Sequence, residues 1–156
     1  MLNDAVPDAV SKVIDASIQT LVDARALLSM MPFEQTVAAM QAARQLVFIG
    51  LGASGHVASD ACHKYFRLGI PCSALTDGPG IAQFAAIAAP HDVLVFISTN
   101  GAWHDSARAA AVAVNRGATV IALTDPMSRL SLGDAASANL RASKDALSSQ
   151  YSAEST

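Results

Sequence analysis

Apolar residues along the chain follow two alternating patterns. Short runs of β-branched or large apolar side chains, bounded by turn residues, are typical of strands that are buried on both faces. Such runs, together with two weaker ones, predict strands at residues 46–49, 71–75, 93–97, 119–123 and 136–140. The segments between them carry apolar residues three or four positions apart, a spacing that predicts helices. This alternation predicts an α/β domain, a parallel sheet with helices on both faces.

The first 43 residues precede any predicted strand and carry two helical patterns. One face of the first helix, which runs to about Met30, holds apolar residues spaced by threes, fours and sevens: Val10, Ile14, Ile18, Leu21 and Leu28. Asp4 can cap this helix, and Pro7 is tolerated in its first turn. We expect the helix to pack outside the sheet layers or against another subunit. The predicted division is N-terminal helices over residues 1–43 and the domain core over residues 44–156.

Two later helices have inward faces that their apolar spacing predicts. For the helix that closes at Gly69, these residues are Val57, Ala58, Ala61, Cys62, Tyr65 and Phe66. For the helix that closes at Gly117, they are Ala107, Ala110, Ala111 and Val114. A glycine just after the last turn is a common C-cap, which supports both endings.

Two small polar turns follow the first and the third predicted strands. Residues 50–55 include Ser54, and residues 98–101 include Ser98 and Asn100. Open parallel sheets bind ligands beyond the carboxyl ends of their strands, where the strand order reverses. If these two strands are neighbours there, the turns face one crevice and can present N–H groups and hydroxyls to an anion. The alternative interpretation is that Ser98 or Asn100 caps the following helix.

Other residues near these strand ends are weaker candidates. The first turn is not a complete dinucleotide-binding fingerprint, because no acidic residue ends the next strand near Leu75. Asp77 and Asp125 each follow a strand and are candidates to bind ligand hydroxyls. The alternative is that each caps the turn that follows it.

Composition narrows the class of protein. With 52% apolar and 15% charged residues, the 156-residue chain has the composition of one folded domain with a real core. No apolar run has the length of a bilayer span, and residues 1–4 lack a signal-peptide pattern. The net charge of −3 and the scattered basic residues argue against a nucleic-acid interface on this chain. Cys62 and Cys72 lack metal-ligand spacing and are expected to be inert core residues in a reducing, cytoplasmic setting.

The polar turns and the segments between them resemble a sugar isomerase (SIS) domain over roughly residues 10–140. The matching motifs are residues 50–54, residues 63–71 with the pattern Lys-Tyr-x-Arg-x-Gly-x-Pro, residues 97–101 and residues 117–124. The second motif is most similar to that of RpiR-type transcriptional regulators, in which a SIS domain follows a helix-turn-helix domain and binds a phosphosugar effector. The resemblance implies a three-layer αβα sandwich with a five-stranded parallel sheet, usually dimeric.

The resemblance also implies ligand-binding residues. Ser54 matches a serine near the ligand phosphate, and residues 98–101 match the family's phosphate turn. The family's second serine is Asn100 in this chain, and Ala102 and Trp103 stand where the family has polar residues; Asn100 and Trp103 can still donate N–H groups. The predicted ligand-binding residues are Gly52, Ser54, Ser98, Thr99, Asn100, Gly101 and Trp103, with no cofactor and no metal.

Aldose–ketose isomerisation requires a base, such as Glu or His, poised in the crevice. We interpret His104 and Asp105 as first-turn helix residues and His56 as a surface residue. Glu154 lies in the polar tail, and the chain is expected to lack its final helix. No catalytic residue is therefore predicted.

The leading hypothesis is a non-catalytic, phosphosugar-sensing domain of an RpiR-type transcriptional regulator. We expect it to bind a phosphosugar or a related anionic sugar metabolite and to form a homodimer or higher homo-oligomer. We expect it to contact DNA only through an upstream domain outside this chain and to have no membrane partner. The alternatives are a sugar-phosphate isomerase domain and a dimerisation module whose sugar-phosphate pocket has decayed.

Overall fold

The computed structural model describes residues 6–98, 104–124 and 138–141, apart from the side chains of Leu27, Met30, His104 and residues 138–141. The described residues fall into two units, which divide after Met30. The first unit contains helix α1, Val6–Leu27, followed by a 3₁₀ turn, Leu28–Met30. The apolar residues of the predicted α1 face are exposed, Ile18 at 55% and Leu21 at 70%. Within the described ranges, no helix is long and apolar enough to cross a membrane.

The second unit, Met31–Arg141, contains the sheet and the helices around it. Its strands and helices alternate along the described chain from the first to the fourth strand, as the apolar pattern predicts. In chain order they are α2 Phe33–Gln41, β1 Gln45–Ile49, α3 Ala53–Phe66, β2 Cys72–Leu75, α4 Gly78–Ile87, β3 Asp92–Ser98, α5 His104–Asn115, β4 Thr119–Thr124 and β5 Ala138–Arg141.

The sheet has the strand order β2-β1-β3-β4-β5, and every pair of neighbours is parallel. The predicted parallel α/β class is therefore confirmed. After β1 the chain crosses through α3 to β2 on one side, and after β3 it crosses through α5 to β4 on the other. The direction of crossing thus reverses between the neighbours β1 and β3, and this reversal is where open α/β sheets form a crevice.

β1 and β3 are buried on both faces and form the centre of the core. Val47 and Leu94 pack with the inner residues of α4 and α5, such as Ile81 and Ala110. The alternate residues pack on the α3 side: Leu46, Phe48, Val93 and Val95 join Ala58 there. Successive side chains of a strand point to opposite faces, so an unbroken apolar run supplies both layers at once.

The predicted inward faces of α3 and α5 are partly wrong. In α3, Val57 is 51% exposed and Phe66 is 70% exposed. The neighbouring Tyr65 packs on Phe48 instead, with ring centroids 5.2 Å apart. Adjacent helical residues point about 100° apart, so Phe66 cannot share that inward position.

In α5, Ala111 and Val114 are exposed, whereas Ser106, Ala109 and Ala113 are buried beside the predicted Ala107 and Ala110. An alanine-rich helix has no large side chains that fix which side faces the sheet, so the sequence pattern left the rotation of α5 uncertain. The predicted glycine endings hold, because Gly69 and Gly117 have φ values of 75° and 87°.

A buried carboxylate joins the amino ends of the two central strands. Asp92, at the start of β3, is 1% exposed, and Arg44, just before β1, approaches it with N–O distances of 2.8–3.0 Å. The Gln45 side-chain amide donates to the same carboxylate at 3.0 Å, and so does the Ala89 backbone N–H. Burial by itself raises the pKa of Asp92, but the hydrogen bonds from Gln45, Arg44 and Ala89 outweigh it and hold that pKa below its ordinary value.

We predict that Asp92→Ala lowers the free energy of unfolding at pH 7 by about 3 kcal/mol, because it leaves buried donors without an acceptor. The lowered pKa of Asp92 means that its stabilisation is present above the unfolded-state pKa, about 3.9, and is lost as the pH falls through the folded-state pKa. The gap in stability between wild type and Asp92→Ala should therefore narrow below about pH 4. Urea unfolding across this pH range measures it.

Asp60→Ala is the matched control. Asp60 is 58% exposed and pairs with Lys64 one helical turn away, so its removal should cost less than about 1 kcal/mol. Equal losses for the two variants would contradict the role assigned to Asp92.

Candidate functional site

Three glycines shape the corner between β1 and α3. A Cβ atom added to Gly50 would lie 2.3 Å from the Ser54 carbonyl oxygen, and one added to Gly55 would lie 3.0 Å from the Gly50 carbonyl oxygen. Gly52 has φ 56°, in the left-handed region that favours glycine. The chain therefore turns tightly enough for the first turn of α3 to lie directly against the end of β1.

The first turn of α3 carries no side-chain cap. Gly52 occupies the N-cap position, where serine, threonine or aspartate would normally supply an acceptor. The backbone N–H groups of Ser54 and Gly55 bond within the turn, to the carbonyl oxygens of Leu51 and Gly52 at 3.2 and 3.0 Å. The half-buried Ser54 hydroxyl and the positive end of the helix dipole lie together at this corner, a combination that suits an anion.

Ser98 ends β3 at the same edge of the sheet. The register pairs Ile49 with Phe96, so β1 ends two positions before Ser98, and Ser98 itself pairs with Thr124 of β4. The first and third strands are neighbours, which is the condition under which the two turns were expected to face one crevice. Gly52, Ser54 and Ser98 all lie beyond or at the carboxyl ends of these adjacent strands. The predicted residues Thr99, Asn100, Gly101 and Trp103 lie outside the described residues.

Two further polar residues lie at or near this edge and were not predicted as site residues. Thr124 is 4% exposed at the end of β4, and Ser106 is 7% exposed in the first turn of α5. Thr124 belongs to the motif at residues 117–124, but no role was predicted for it. The sequence signal that could have identified Thr124 is its position directly after an apolar run. A polar residue at that position lies at the carboxyl edge of a parallel sheet.

Asp77 is a helix cap in the structure. Its carboxylate accepts a hydrogen bond from the Gly80 N–H at 2.8 Å, and Pro79 occupies the first turn of α4, which begins at Gly78. Of the two interpretations given for Asp77, the capping one is confirmed. Asp125, the other acidic candidate, lies outside the described residues.

A cavity of about 600 Å³ lies between α4 and α5, which is large enough for a small ligand. One end is formed by Leu51 of the β1–α3 corner and by Gly78 and Ser106 in the first turns of the two helices. The far end is lined by apolar residues, including Ala85 and Val112. Among the described residues that line the cavity, the charged ones are Asp105 and Arg108 of α5. The carboxyl edge of the sheet therefore opens into a largely apolar groove.

Within the part of the chain that the structure describes, no group of three or more His, Cys, Asp or Glu side chains could hold a metal ion. His56, the histidine nearest the first turn, is exposed on α3. The candidate site is thus made of backbone N–H groups and hydroxyls at a reversal of strand order.

This geometry defines an α/β protein whose candidate ligand site lies at the carboxyl edge of a parallel sheet. The family model described as "SIS domain" matches residues 39–155. The chain belongs to the SIS-domain family.

Two curated relatives match over most of this chain. The "Bifunctional protein glk" of Burkholderia thailandensis is 37% identical over 79% of this chain and 19% of its own length. The "HTH-type transcriptional regulator HexR" of Pseudomonas aeruginosa is 36% identical over 82% of this chain and 46% of its own length. The chain therefore spans less than half the length of either relative.

Solved structures with this fold include a transcription factor, a protein in complex with a phosphosugar and an isomerase. Vibrio vulnificus NanR complexed with ManNAc-6P has a TM-score of 0.74 and 21% identity, covering 84% of this chain and 51% of NanR. The sugar isomerase domain of an RpiR transcription factor from Sphaerobacter thermophilus has a TM-score of 0.72 and 27% identity, covering 83% and 74%. Phosphoheptose isomerase GmhA from Neisseria gonorrhoeae has a TM-score of 0.72 and 20% identity, covering 89% and 86%.

We predict that Gly50→Ala lowers the free energy of unfolding by about 2 kcal/mol or more, because the added methyl would overlap the backbone of the α3 first turn. Gly78→Ala is the control, since no described atom lies within 4 Å of the Cβ that it would add at the start of α4. Its effect should stay within about 0.5 kcal/mol. Chemical denaturation of both variants measures the difference, and a tolerated Gly50→Ala would contradict the tight β1–α3 corner.

Proposed function

We propose that this SIS domain binds a phosphosugar, or a related anionic sugar metabolite, as the effector-sensing part of an RpiR-type transcriptional regulator. In this proposal the domain holds the sugar without transforming it. The observation that supports the proposal is that β1 and β3 are parallel neighbours whose crossovers leave in opposite directions, with Ser54 in the first turn of the helix after β1 and Ser98 at the end of β3.

The chemistry of the two corners suits a phosphate. The uncapped N-terminus of α3 offers positive potential, and the Ser54 and Ser98 hydroxyls can donate to phosphate oxygens. We propose that Gly52 lets the backbone approach the ligand, and that Thr99, Asn100, Gly101 and Trp103 complete the site from the following turn. The sugar would then extend from the sheet edge, with the groove between α4 and α5 as its neighbour.

A sensing role is favoured over catalysis by the acidic and basic residues available. The chain has two glutamates, and of these Glu154 lies outside the described residues while Glu34 is exposed in the first turn of α2. The Asp77 carboxylate is occupied as a helix cap. A proton shuttle between two sugar carbons needs a base within hydrogen-bond reach of the substrate. The similarity to a transcriptional regulator, HexR, also supports sensing rather than catalysis.

The second candidate is a sugar-phosphate isomerase domain. It is supported by the similarity in fold to phosphoheptose isomerase GmhA, and the same fold can host either function. A third possibility is a dimerisation module that has lost its ligand. The isomerase differs from the sensor because it turns over the sugar phosphate, and the dimerisation module differs because it binds no sugar phosphate. Both properties can be measured directly.

Further parts of the proposal concern the whole protein. We propose that the domain is the family's three-layer αβα sandwich with five strands, and that residues 1–43 form its N-terminal helices. We propose that it works in the cytoplasm as a homodimer or higher homo-oligomer, with the exposed apolar face of α1 as a candidate contact. DNA would be bound through a separate domain of the full-length protein.

We predict that a phosphosugar raises the melting temperature of the wild-type chain and not that of Ser54→Ala or Ser98→Ala. A ligand at 100 times its dissociation constant adds about 2.7 kcal/mol of stability, and removing a donor to the phosphate should abolish most of it. A thermal-shift screen against sugar phosphates and sugar acids provides the measurement. Loss of the shift in both variants is expected.

Ser59→Ala is the matched control for this screen. Ser59 lies on the same helix as Ser54, but its hydroxyl bonds to the Gly55 carbonyl oxygen at 2.9 Å and is not part of the proposed site. This variant should keep the wild-type shift. Full ligand response in Ser98→Ala would remove the end of β3 from the site, and no response of the wild type to any phosphosugar would favour the decayed module.

The isomerase alternative is tested by turnover. We predict that the chain, at micromolar concentration and with a sugar phosphate that raises its melting temperature, produces no aldose–ketose interconversion above the uncatalysed rate. Proton exchange at the sugar carbon next to the carbonyl, followed by NMR in D₂O, detects even a partial reaction. Exchange at rates typical of enzymes, about 1 per second or faster, would overturn the sensor in favour of the isomerase.

A further inference from the structure

The two cysteines of the chain lie side by side. Cys62, in the last half of α3, and Cys72, the first residue of β2, have their sulfur atoms 3.6 Å apart. The Cys72 thiol also donates to the Cys62 carbonyl oxygen at 3.1 Å. Both side chains are half-buried, so neither is sealed from small solutes. The sequence predicts that both cysteines are inert core residues, and it does not predict this contact between their sulfur atoms.

The surrounding structure holds the two sulfurs in place. β2 is fixed by its register with β1, in which Cys72 pairs with Leu46, a fully buried residue. Cys62 packs on the same side of the core as Tyr65. Between the cysteines the chain turns through Gly69, whose φ of 75° closes the α3 end. The pair is therefore a property of the folded sheet and not of proximity along the chain alone.

We propose that Cys62 and Cys72 form an oxidation site at which a peroxide converts the two thiols to an intramolecular disulfide. The sulfurs need to approach by about 1.6 Å to reach the bonded distance, a movement within reach of side-chain rotation. The disulfide fastens the end of α3 to the start of β2. This site is independent of the ligand site proposed above.

The chemistry balances with one peroxide and two thiols. One cysteine thiolate attacks a peroxide oxygen, the O–O bond breaks, and a sulfenic acid and one water are formed. The second thiolate attacks the sulfenic sulfur, the S–O bond breaks, and the disulfide forms with release of a second water. Two electrons pass from the sulfurs to the peroxide, and a dithiol reductant reverses the product.

The protein environment makes this a slow, oxidant-requiring reaction. Burial chiefly, together with the hydrogen bond to Cys62 and the charge of Cys62, raises the pKa of the Cys72 thiol. The thiolate is the reactive form, so the raised pKa slows the reaction of the Cys72 thiol at neutral pH. Proximity of the second sulfur then favours the disulfide over further oxidation.

The test uses hydrogen peroxide on the full chain, followed by alkylation of remaining thiols under denaturing conditions and intact-mass measurement. Because the chain has two cysteines in all, a loss of 2 Da with no alkylation identifies the Cys62–Cys72 disulfide without ambiguity. We expect this product, its reversal by dithiothreitol, and a melting temperature higher by about 5 °C in the oxidised form.

Cys62→Ser and Cys72→Ser are the matched controls. Each keeps one thiol, so peroxide should give no loss of 2 Da and no rise in melting temperature. Two alkylated thiols in the treated wild type, a gain of oxygen atoms without the 2 Da loss, or a disulfide between two chains as the main product would each overturn the proposal.

Discussion

The pairing of β1 with β3 is the constraint on which the rest of the structure depends. Both strands are buried on both faces, so their alternate side chains build the two halves of the core, Val47 and Leu94 on one side and Phe48 and Val95 on the other. The crossovers from β1 to β2 and from β3 to β4 start from this pair, and the one from β2 to β3 passes over β1. Right-handed connections then decide the face on which each helix packs. The same pairing brings the Ser54 corner and Ser98 to one edge.

The two ends of this strand pair carry different kinds of polar chemistry. At the amino ends, the Asp92 carboxylate is saturated with donors from Arg44, Gln45 and Ala89, which leaves it no capacity for a ligand. At the carboxyl ends lie glycines and small hydroxyl residues, such as Gly52 and Ser54 in the β1–α3 corner. A satisfied network stabilises and specifies the fold, whereas an edge with small side chains can accept a ligand. The stabilising Asp92 network and the candidate ligand site therefore lie at opposite ends of the same strands.

Membership of the SIS family narrows the function without deciding it. A transcription factor, a protein in complex with a phosphosugar and an isomerase share this fold at similar TM-scores, so the fold alone does not distinguish binding from catalysis. The distinction depends on whether an acid or base reaches the bound sugar. Among the described carboxylates near the strand ends, Asp77 is already bound to the α4 N-terminus, whereas Asp105 lines the cavity between α4 and α5.

The sequence by itself determined the strands, their parallel arrangement and the polar turn after β1, because unbroken apolar runs such as residues 93–97 have few other ways to be buried. It did not determine the rotation of the helices: Phe66 and Val114 are exposed against expectation, since packing partners such as Phe48 choose among several apolar residues on a helix. Only the tertiary structure made β1 and β3 neighbours, gave Thr124 its place opposite Ser98 and set Cys62 beside Cys72. Each of these is a contact between residues that are far apart in the chain or on different elements. Such contacts depend on the order in which the strands pair, and no local sequence pattern encodes that order.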